Sequence, residues 1–151
     1  MEIVLGNLSH PKVLALLQAH LDGMHDTSPP EHVHALDVSG LKSTDISFWT
    51  ACDGENVLGC GALKELSKTR GEIKSMRTHS AHLRQGIAAQ ILEHILKQAK
   101  ERGYSQLSLE TGRGPSFEPA LNLYLKYGFK YGEAFDDYEA NEFSQFLHLE
   151  L

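Results

Sequence analysis

The sequence predicts a mixed α/β (α+β) fold in which helices cover one central β-sheet. Segments with the two-residue period of strands alternate with segments that have the 3.6-residue period of helices. Each helical segment has one apolar stripe, and a sheet covered by helices buries all of these stripes. With 151 residues and no internal repeat or linker, the chain is predicted to form a single domain over residues 1–151.

The N-terminal part of the chain predicts a strand and then two helical pieces. Residues 2–5 are β-rich, and residues 11–21 place apolar side chains at helical spacing. Pro29 and Pro30 open a second, short helical piece, which a polar loop at residues 42–45 follows. This part of the chain therefore begins on the sheet and then crosses one of its faces.

A β-hairpin is predicted over residues 46–63, where two β-rich runs flank a sequence typical of a tight turn. If residues 54–55 form the tip of this turn, Cys60 lies opposite Trp49 and not opposite Cys52. Because a disulfide needs closely opposed side chains, we expect both cysteines to be free thiols.

The middle of the chain predicts a strand, a long helix and another strand. Residues 71–78 are β-rich, residues 83–102 are helical, Gly103 is a C-terminal cap, and residues 106–110 alternate as a strand. The apolar stripe of this helix is the clearest periodic signal in the chain. It consists of Ile87, Ile91, Leu92, Ile95, Leu96 and Ala99.

The C-terminal part predicts one more helix and two more strands. The helix covers residues 119–127 and ends at Gly128. The strands cover residues 129–133 and 143–149, and the acidic segment 135–142 joins them.

Composition excludes several classes of function. The formal net charge is −6, without a run of basic residues that could neutralise a nucleic-acid backbone. No apolar stretch approaches the roughly 18 residues that a membrane span requires, and the first residues lack the order of a signal peptide. We therefore expect a cytoplasmic protein that binds neither nucleic acid nor membrane.

A metal site is not expected either. Nine histidines are present, and His25, His32 and His34 lie in one segment. Residues two apart on a helix point in nearly opposite directions, and no zinc-like spacing completes a set of ligands.

The junction between the strand at residues 71–78 and the long helix is the most informative point. A helix start presents unpaired backbone N–H groups and the positive end of its dipole, so it can hold a phosphate group. Gly86 and Ala88 leave room for a ligand to approach. Taken alone, such a junction is more typical of an ordinary strand-to-helix turn with small residues for packing.

Together with its neighbours, this junction resembles the GNAT (GCN5-related N-acetyltransferase) superfamily. Its acetyl-CoA motif is similar to residues 83–88, although Leu83 stands where the family usually carries Gln or Arg. A second signature, Ala-x-x-x-Tyr-x-x-x-Gly-Phe, matches residues 120–129, although Phe117 replaces a usual Asn. The tail over residues 135–147 is similar to a small bacterial subgroup, the YsnE-like proteins.

The resemblance implies a mostly antiparallel sheet of about seven strands, about four helices and a V-shaped splay between the fourth and fifth strands. It also implies acetyl-CoA as the cosubstrate, and places the segment around residues 24–37 over the acceptor pocket. The implied cofactor-binding residues are Met76, Arg77, Thr78, Leu83, Arg84, Gln85, Gly86, Ile87, Ala88, Ala89 and Tyr124.

Amine acetylation needs a base and an acid. A free amine with a pKa of about 10.4 is deprotonated in only about one molecule in a thousand at pH 7, which costs roughly 4 kcal/mol. The resemblance makes Glu72 the first candidate for the base and Glu110 the second, with a solvated strand-end charge as the alternative for each. It makes Tyr124 the acid that protonates the leaving thiolate, and a packed core tyrosine is the alternative. A backbone N–H near Met76 is expected to stabilise the oxyanion.

The implied function is transfer of an acetyl group from acetyl-CoA to a primary amine of a small molecule or amino acid, by direct attack in a ternary complex. Acetylation of a protein N-terminus or lysine is a second possibility, and would call for an open groove. A third is an acyl-CoA-binding module without catalysis. The resemblance is also compatible with a homodimer.

Overall fold

A computed structural model describes all 151 residues, which form one seven-stranded sheet with helices on both faces. Four α-helices and three short 3₁₀ turns accompany the sheet. The strands are β1 (Glu2–Leu5), β2 (Ile46–Asp53), β3 (Asn56–Glu65), β4 (Arg70–Thr78), β5 (Gln106–Thr111), β6 (Lys130–Tyr131) and β7 (Gln145–Glu150). The helices are α1 (Pro11–Thr27), α2 (Val38–Leu41), α3 (Ile87–Glu101) and α4 (Glu118–Lys126).

The strands lie in the order β1-β2-β3-β4-β5-β7-β6. All neighbouring pairs are antiparallel except β4 and β5, which run parallel. A parallel pair needs a crossover connection, and α3 provides it between these two strands. The predicted sheet of mostly antiparallel strands with about four helices is confirmed.

The parallel pair β4 and β5 is joined over only part of its length. Its register contains three residue pairs and ends where Glu72 lies opposite Ser108. Beyond this point β4 continues through residues 73–78 without a neighbour on that side, because β5 has turned away. The predicted splay between the fourth and fifth strands is confirmed, and it opens the sheet from one edge.

A β-bulge interrupts β4 within this unpaired stretch. Cys60 lies opposite Arg77 and Ala62 lies opposite Lys74, so two residues of β4 face the single residue Gly61. Ser75, one of these two residues, has a φ of 56°, which is unusual for a residue other than glycine.

The two faces of the sheet carry separate apolar cores. The larger core lies under α3 and is centred on the fully buried Ile91, Leu92 and Ile95. The smaller core lies under α1 and includes Leu16 and Phe48. Because α3 and α1 cover opposite faces, the splay between β4 and β5 connects the two sides of the protein.

The predicted hairpin forms, but its register differs by one residue. A bulge between Ala51 and Cys52 leaves one extra residue in β3, so Cys60 lies opposite Thr50 and not opposite Trp49. The prediction for Cys60 was therefore wrong, because a bulge leaves no signal in the alternation of apolar residues. Both cysteines are nevertheless free thiols, as expected.

Several predicted boundaries also shift. The first helix continues to Thr27, because polar residues extend it beyond its apolar stripe. Helix α3 begins at Ile87 and not at Leu83, since Arg84 and Gly86 have positive φ angles of 62° and 78° that no α-helix accommodates.

Two of the shorter elements are smaller in the structure than the sequence predicted. The second helical piece divides into a 3₁₀ turn at Pro30–His32 and the single turn of α2. Strand β6 is reduced to two residues, Lys130–Tyr131. None of the helices combines the length and apolar character needed to span a membrane.

The core under α3 is expected to dominate stability. Replacing the fully buried Ile91 by Ala should lower the free energy of unfolding by about 2–5 kcal/mol, because the lost methyl groups leave a cavity. Urea denaturation followed by circular dichroism measures this change. As the control, Leu125→Ala on the exposed side of α4, where the side chain is 38% exposed, should change the free energy by less than about 1 kcal/mol. Equal losses from both variants would contradict the assignment of this core.

Candidate active site

A cavity of about 770 Å³ opens where β4 and β5 separate. Most of its walls come from α1, β4, β5, the start of α3 and α4. Tyr138, from the segment between β6 and β7, closes one side. The cavity is large enough for a small-molecule ligand and reaches both faces of the sheet.

The start of α3 at this cavity has free backbone donors. Gly86 is the N-cap residue and offers no side-chain cap, and the first helical hydrogen bond runs from the Gln90 N–H to the Gly86 carbonyl. The N–H groups of Ile87, Ala88 and Ala89 therefore lack helical partners. They lie at the positive end of the helix dipole, where an anion such as a pyrophosphate is stabilised.

Glycine is required at the helix start for two reasons. Its φ of 78° lies in the left-handed region that side chains disfavour. A Cβ atom at Gly86 would meet no protein atom within 4 Å, so the space above it is open to a ligand. These features fit a phosphate-bearing cofactor.

Ten of the eleven predicted cofactor residues line the cavity, and Gln85 does not. Leu83 lines the cavity and is 57% exposed. It therefore presents an apolar side chain at the position where the family usually has a polar Gln or Arg. The residues that line the cavity are Met76, Arg77, Thr78, Leu83, Arg84, Gly86, Ile87, Ala88, Ala89 and Tyr124.

The unpaired edge of β4 presents backbone groups to the cavity. The His79 N–H donates to the Leu58 carbonyl at 2.8 Å, and the Arg77 carbonyl also points towards β3. Since backbone groups alternate along an extended strand, those of Met76 and Thr78 point the other way, into the splay. The Arg77 side chain is also turned away from the α3 side, because its guanidinium lies 3.4 Å from the Ala19 carbonyl on α1.

Tyr124 reaches the cavity from α4. Its side chain is 6% exposed and packs edge-on against Phe129, with ring centroids 5.7 Å apart. Burial raises the pKa of Tyr124 above its ordinary value, because the ionised phenolate would be poorly solvated. The hydroxyl therefore keeps its proton throughout the physiological pH range.

Glu72 lies at the point where β4 and β5 part, and its side chain is 1% exposed. The Tyr138 hydroxyl donates to its Oε2 atom at 2.5 Å, and the Lys74 ammonium lies 3.3 Å from the same atom. Lys74 also donates to the Tyr138 hydroxyl at 2.8 Å. These three side chains form a closed network in which the buried carboxylate has a counter-charge.

Glu110 lies on the same face of the sheet as Glu72. Ser108 pairs with Glu72 in the parallel register, and side chains two residues apart on a strand share a face. Burial raises the pKa of Glu110 to about 6, while the nearby Ser144 side chain and the charge of Lys74 act in the opposite direction. Of the two candidate bases, Glu110 is the one without an ion pair.

Two members of this network were not found from the sequence. Lys74 was within the predicted strand but had no assigned role, and Tyr138 belongs to a tail segment that showed only acidic character. His34 contacts Tyr138 edge-on at 5.0 Å between ring centroids, and it lines the cavity with Met24. The segment around residues 24–37 therefore borders the cavity.

The histidines do not form a metal centre with the acidic residues. No group of three or more His, Cys, Asp or Glu side chains is close enough to hold an ion. The cavity thus combines an anion-binding helix start, a free strand edge, a protonated tyrosine and two carboxylates.

Comparison with known proteins places this geometry in a family. A model of the acetyltransferase (GNAT) family matches residues 13–129. The chain is 48% identical over 151 residues to the uncharacterized N-acetyltransferase YsnE of Bacillus subtilis (strain 168), with 100% of both chains covered.

Solved structures share the fold. A Klebsiella pneumoniae protein assigned to the acyl-CoA N-acyltransferases superposes with a TM-score of 0.82 at 25% identity, over 99% of this chain and 97% of that one. A GNAT acetyltransferase of Elizabethkingia anophelis with acetyl-CoA bound has a TM-score of 0.72 at 21% identity, with the same coverage. The chain therefore belongs to the acetyltransferase (GNAT) family and its YsnE-like subgroup, and it is an acetyl-CoA-dependent N-acyltransferase, as its motifs predicted.

Proposed function

We propose that this protein transfers the acetyl group of acetyl-CoA to a primary amine of a small molecule or amino acid, by direct attack within a ternary complex. One observation carries the proposal: a single cavity is lined by the start of α3, by Tyr124 and by the carboxylates of Glu72 and Glu110. A donor and an acceptor bound in this cavity would meet without a covalent enzyme intermediate.

The cofactor is held by backbone groups more than by side chains. The N–H groups of residues 87–89 bind the pyrophosphate, and the backbone of Met76 and Thr78 pairs with the pantetheine arm in place of the missing strand. The exposed Arg84 adds a positive charge near the phosphates. Bound in this way, the cofactor supplies an activated acetyl thioester at the splay.

Glu110 is the base that the geometry favours, although Glu72 came first in the sequence analysis. Glu72 accepts hydrogen bonds from Tyr138 and Lys74 at one oxygen, so its carboxylate is already engaged with side chains of the protein. Glu110 has a pKa of about 6, closer to neutrality, so it takes up a proton more readily and is still roughly nine-tenths ionised at pH 7. Glu72 then positions Lys74 and Tyr138.

Two further groups stabilise the transition state. The Met76 N–H points into the splay and can donate to the oxyanion that forms on the acetyl carbonyl. The Tyr124 hydroxyl, which burial keeps protonated, donates its proton to the departing thiolate.

A small acceptor is favoured over a protein lysine or N-terminus. Two aromatic contacts join the segment before α2 to the segment before β7: His34 contacts Tyr138 at 5.0 Å, and His32 stacks on Phe143 at 6.0 Å. The first contact lies at the cavity wall and the second joins the same two segments outside it, whereas a protein substrate would need an open groove there. A homodimer and a cytoplasmic location stay predictions.

A bulky residue at the helix start should weaken cofactor binding. Gly86→Leu should raise the Kd for acetyl-CoA at least about tenfold, because its side chain fills the space above the free N–H groups and its backbone conformation is strained. Isothermal titration calorimetry measures the Kd.

Gly103→Leu is the matched control for this variant. Gly103 follows the other end of α3 and also has a positive φ, of 83°. A Cβ atom at this position would likewise meet no protein atom within 4 Å, so the backbone strain of the two variants is comparable. The Kd of Gly103→Leu should equal that of the wild type. If both variants bind acetyl-CoA like the wild type, the helix start does not hold the cofactor.

Removal of the Tyr124 hydroxyl should slow turnover without weakening the complex. Tyr124→Phe keeps the buried ring and its contact with Phe129, so kcat should fall about 10²–10⁴-fold while the Kd for acetyl-CoA stays within about twofold. Thiol release with a mixture of amines measures kcat, and calorimetry measures the Kd. Unchanged turnover would remove Tyr124 from the acid role, and absence of any acetylated amine with the wild-type protein would favour the non-catalytic alternative.

The pH dependence should identify the base. Glu110 acts only when ionised and its pKa is about 6, so activity should rise with pH through 6. Because Glu110 removes a proton from the bound ammonium group, the slope of log kcat/KM against pH should be about one below this pKa and about zero above it, until the amine itself titrates near a pH of about 10. In Glu110→Gln the slope should be about one throughout, with a lower rate.

Glu72→Gln separates the two carboxylates. This variant should keep the change of slope near pH 6, because the base itself is intact. Loss of the change of slope in Glu72→Gln, together with its retention in Glu110→Gln, would assign the base to Glu72. Circular dichroism between pH 5 and pH 8 checks that each variant remains folded across these measurements.

A further inference from the structure

One cation at the cavity has no counter-charge. The ion pairs of the protein are Lys64 with Asp136 and Lys74 with Glu72, so no carboxylate lies within 4.0 Å of the Arg77 guanidinium. The one protein acceptor of this guanidinium is the Ala19 carbonyl, at a long distance of 3.4 Å. Most of the hydrogen-bonding capacity of Arg77 is therefore free on the α1 side of the cavity.

Two buried polar atoms lie in the same part of the molecule without a partner. The Nδ1 atom of His20 and the Oγ atom of Ser75 make no hydrogen bond, although these residues are only 7% and 8% exposed. Both residues line the cavity, His20 from α1 next to Ala19 and Ser75 from β4 two residues before Arg77. An unsatisfied buried polar atom is unfavourable, so a bound group that completes these hydrogen bonds would stabilise the site.

His20 is neutral at this position. Burial, and to a lesser extent the charge of Arg77, lower the pKa of His20 to about 4. A neutral imidazole adds no second positive charge, but it can hydrogen-bond an anion that Arg77 attracts.

Apart from the exposed Arg84, which is assigned to the cofactor phosphates, the cavity therefore contains two uncompensated charges of opposite sign. Lys74 and Glu72 neutralise one another, whereas Arg77 and Glu110 each lack an ion-pair partner. An acceptor that carries one amine and one carboxylate would match both charges. A guanidinium binds a carboxylate through two parallel hydrogen bonds in one plane. This geometry makes the interaction stronger and more specific than the attraction between two point charges.

We propose that the acceptor is an amino acid whose carboxylate is held by Arg77, with His20 and Ser75 as hydrogen-bond partners, and whose amine faces Glu110. The proposal rests on the proposed function and narrows its substrate class. The bound ammonium first passes one proton to Glu110. The neutral nitrogen then forms a bond to the acetyl carbon, the carbon–sulfur bond breaks and the sulfur receives a proton from Tyr124. The second proton of the nitrogen returns to the Tyr124 oxygen. The carboxylate takes no part in the reaction and only orients the amine.

Two matched pools of acceptors test this inference. One pool contains the twenty common L-amino acids, and the other contains the amines obtained by removing their α-carboxyl groups. N-acetylated products are quantified by mass spectrometry with acetyl-CoA and wild-type protein, and kcat/KM is then measured for the best amino acid and its decarboxylated counterpart. We expect the amino acid to be preferred by at least about tenfold.

Variants of Arg77 connect the preference to this residue. Arg77→Met keeps the aliphatic stem but removes the guanidinium, which lies beside Gly23. It should abolish the preference by raising KM for the amino acid but not for the amine. Arg77→Lys should restore part of the preference, because it restores the charge without the planar fork. Lys100→Met, which removes a cation from an exposed position on α3, should leave the preference unchanged.

The outcomes separate the two proposals. Equal acetylation of both pools, or an Arg77→Met variant that loses activity equally with both substrates, would overturn the inference and leave the proposed function intact. No product from either pool would overturn the proposed function. In that case saturation-transfer NMR of both pools with the protein–CoA complex tests the inference about Arg77. The inference holds if the amino acids bind to the wild-type protein and not to Arg77→Met. It fails if the amino acids do not bind to the wild-type protein.

Discussion

The limited pairing between β4 and β5 is the constraint on which the site depends. A sheet is stabilised by the hydrogen bonds between its strands. The pairing of β4 with β5 ends after three pairs of residues. The neighbouring pairs are much longer, and the two cores under α3 and α1 hold the sheet together on either side of the gap. The opening is therefore a local defect in an otherwise continuous sheet, and it persists because packing elsewhere fixes the directions of both strands.

The same divergence explains the unusual environment of the two carboxylates. Glu72 belongs to the last residue pair before the strands part, so it is almost completely buried and needs Lys74 and Tyr138 as partners. Glu110 lies one step further along β5, where the gap is wider, and burial without an ion pair raises its pKa. Two residues of one chemical type thus acquire different surroundings from their positions along a single opening: one has an ion-pair partner and the other has none.

The order of the elements could be predicted from the sequence because local signals carry it. The apolar stripe of α3, the turn between β2 and β3 and the glycines that follow α3 and α4 each depend on neighbouring residues alone. The register of the hairpin could not be predicted, since the extra residue of a bulge is chosen by packing. The α3 start was misplaced because the positive φ angle of Arg84 has no signature in its side chain.

The candidate site could be predicted only where a motif covers it. Residues 83–88 and Tyr124 follow each other in recognisable patterns, and they do line one cavity, with Gln85 as the exception. Tyr138 is 66 residues away from Glu72, and a hydrogen bond across that separation leaves no local pattern. Likewise, the free charge of Arg77 depends on the absence of any neighbouring carboxylate, which is a property of the folded molecule and not of the strand.

The bulge at Ser75 determines which face of the sheet carries the side chains of the residues that follow it in β4. In a regular strand Arg77 would share a face with Ile73, under α3, since the two residues would be separated by an even number of positions. The extra residue reverses the alternation, so Arg77 lies under α1 with Lys74, and Met76 joins the apolar core under α3. A single-residue deletion in this strand would thus exchange the faces on which these side chains lie. The guanidinium would then lie in the apolar core under α3, and the thioether would face the polar cavity. For the evolution of this strand, its length is therefore a stricter constraint than the identity of most of its side chains.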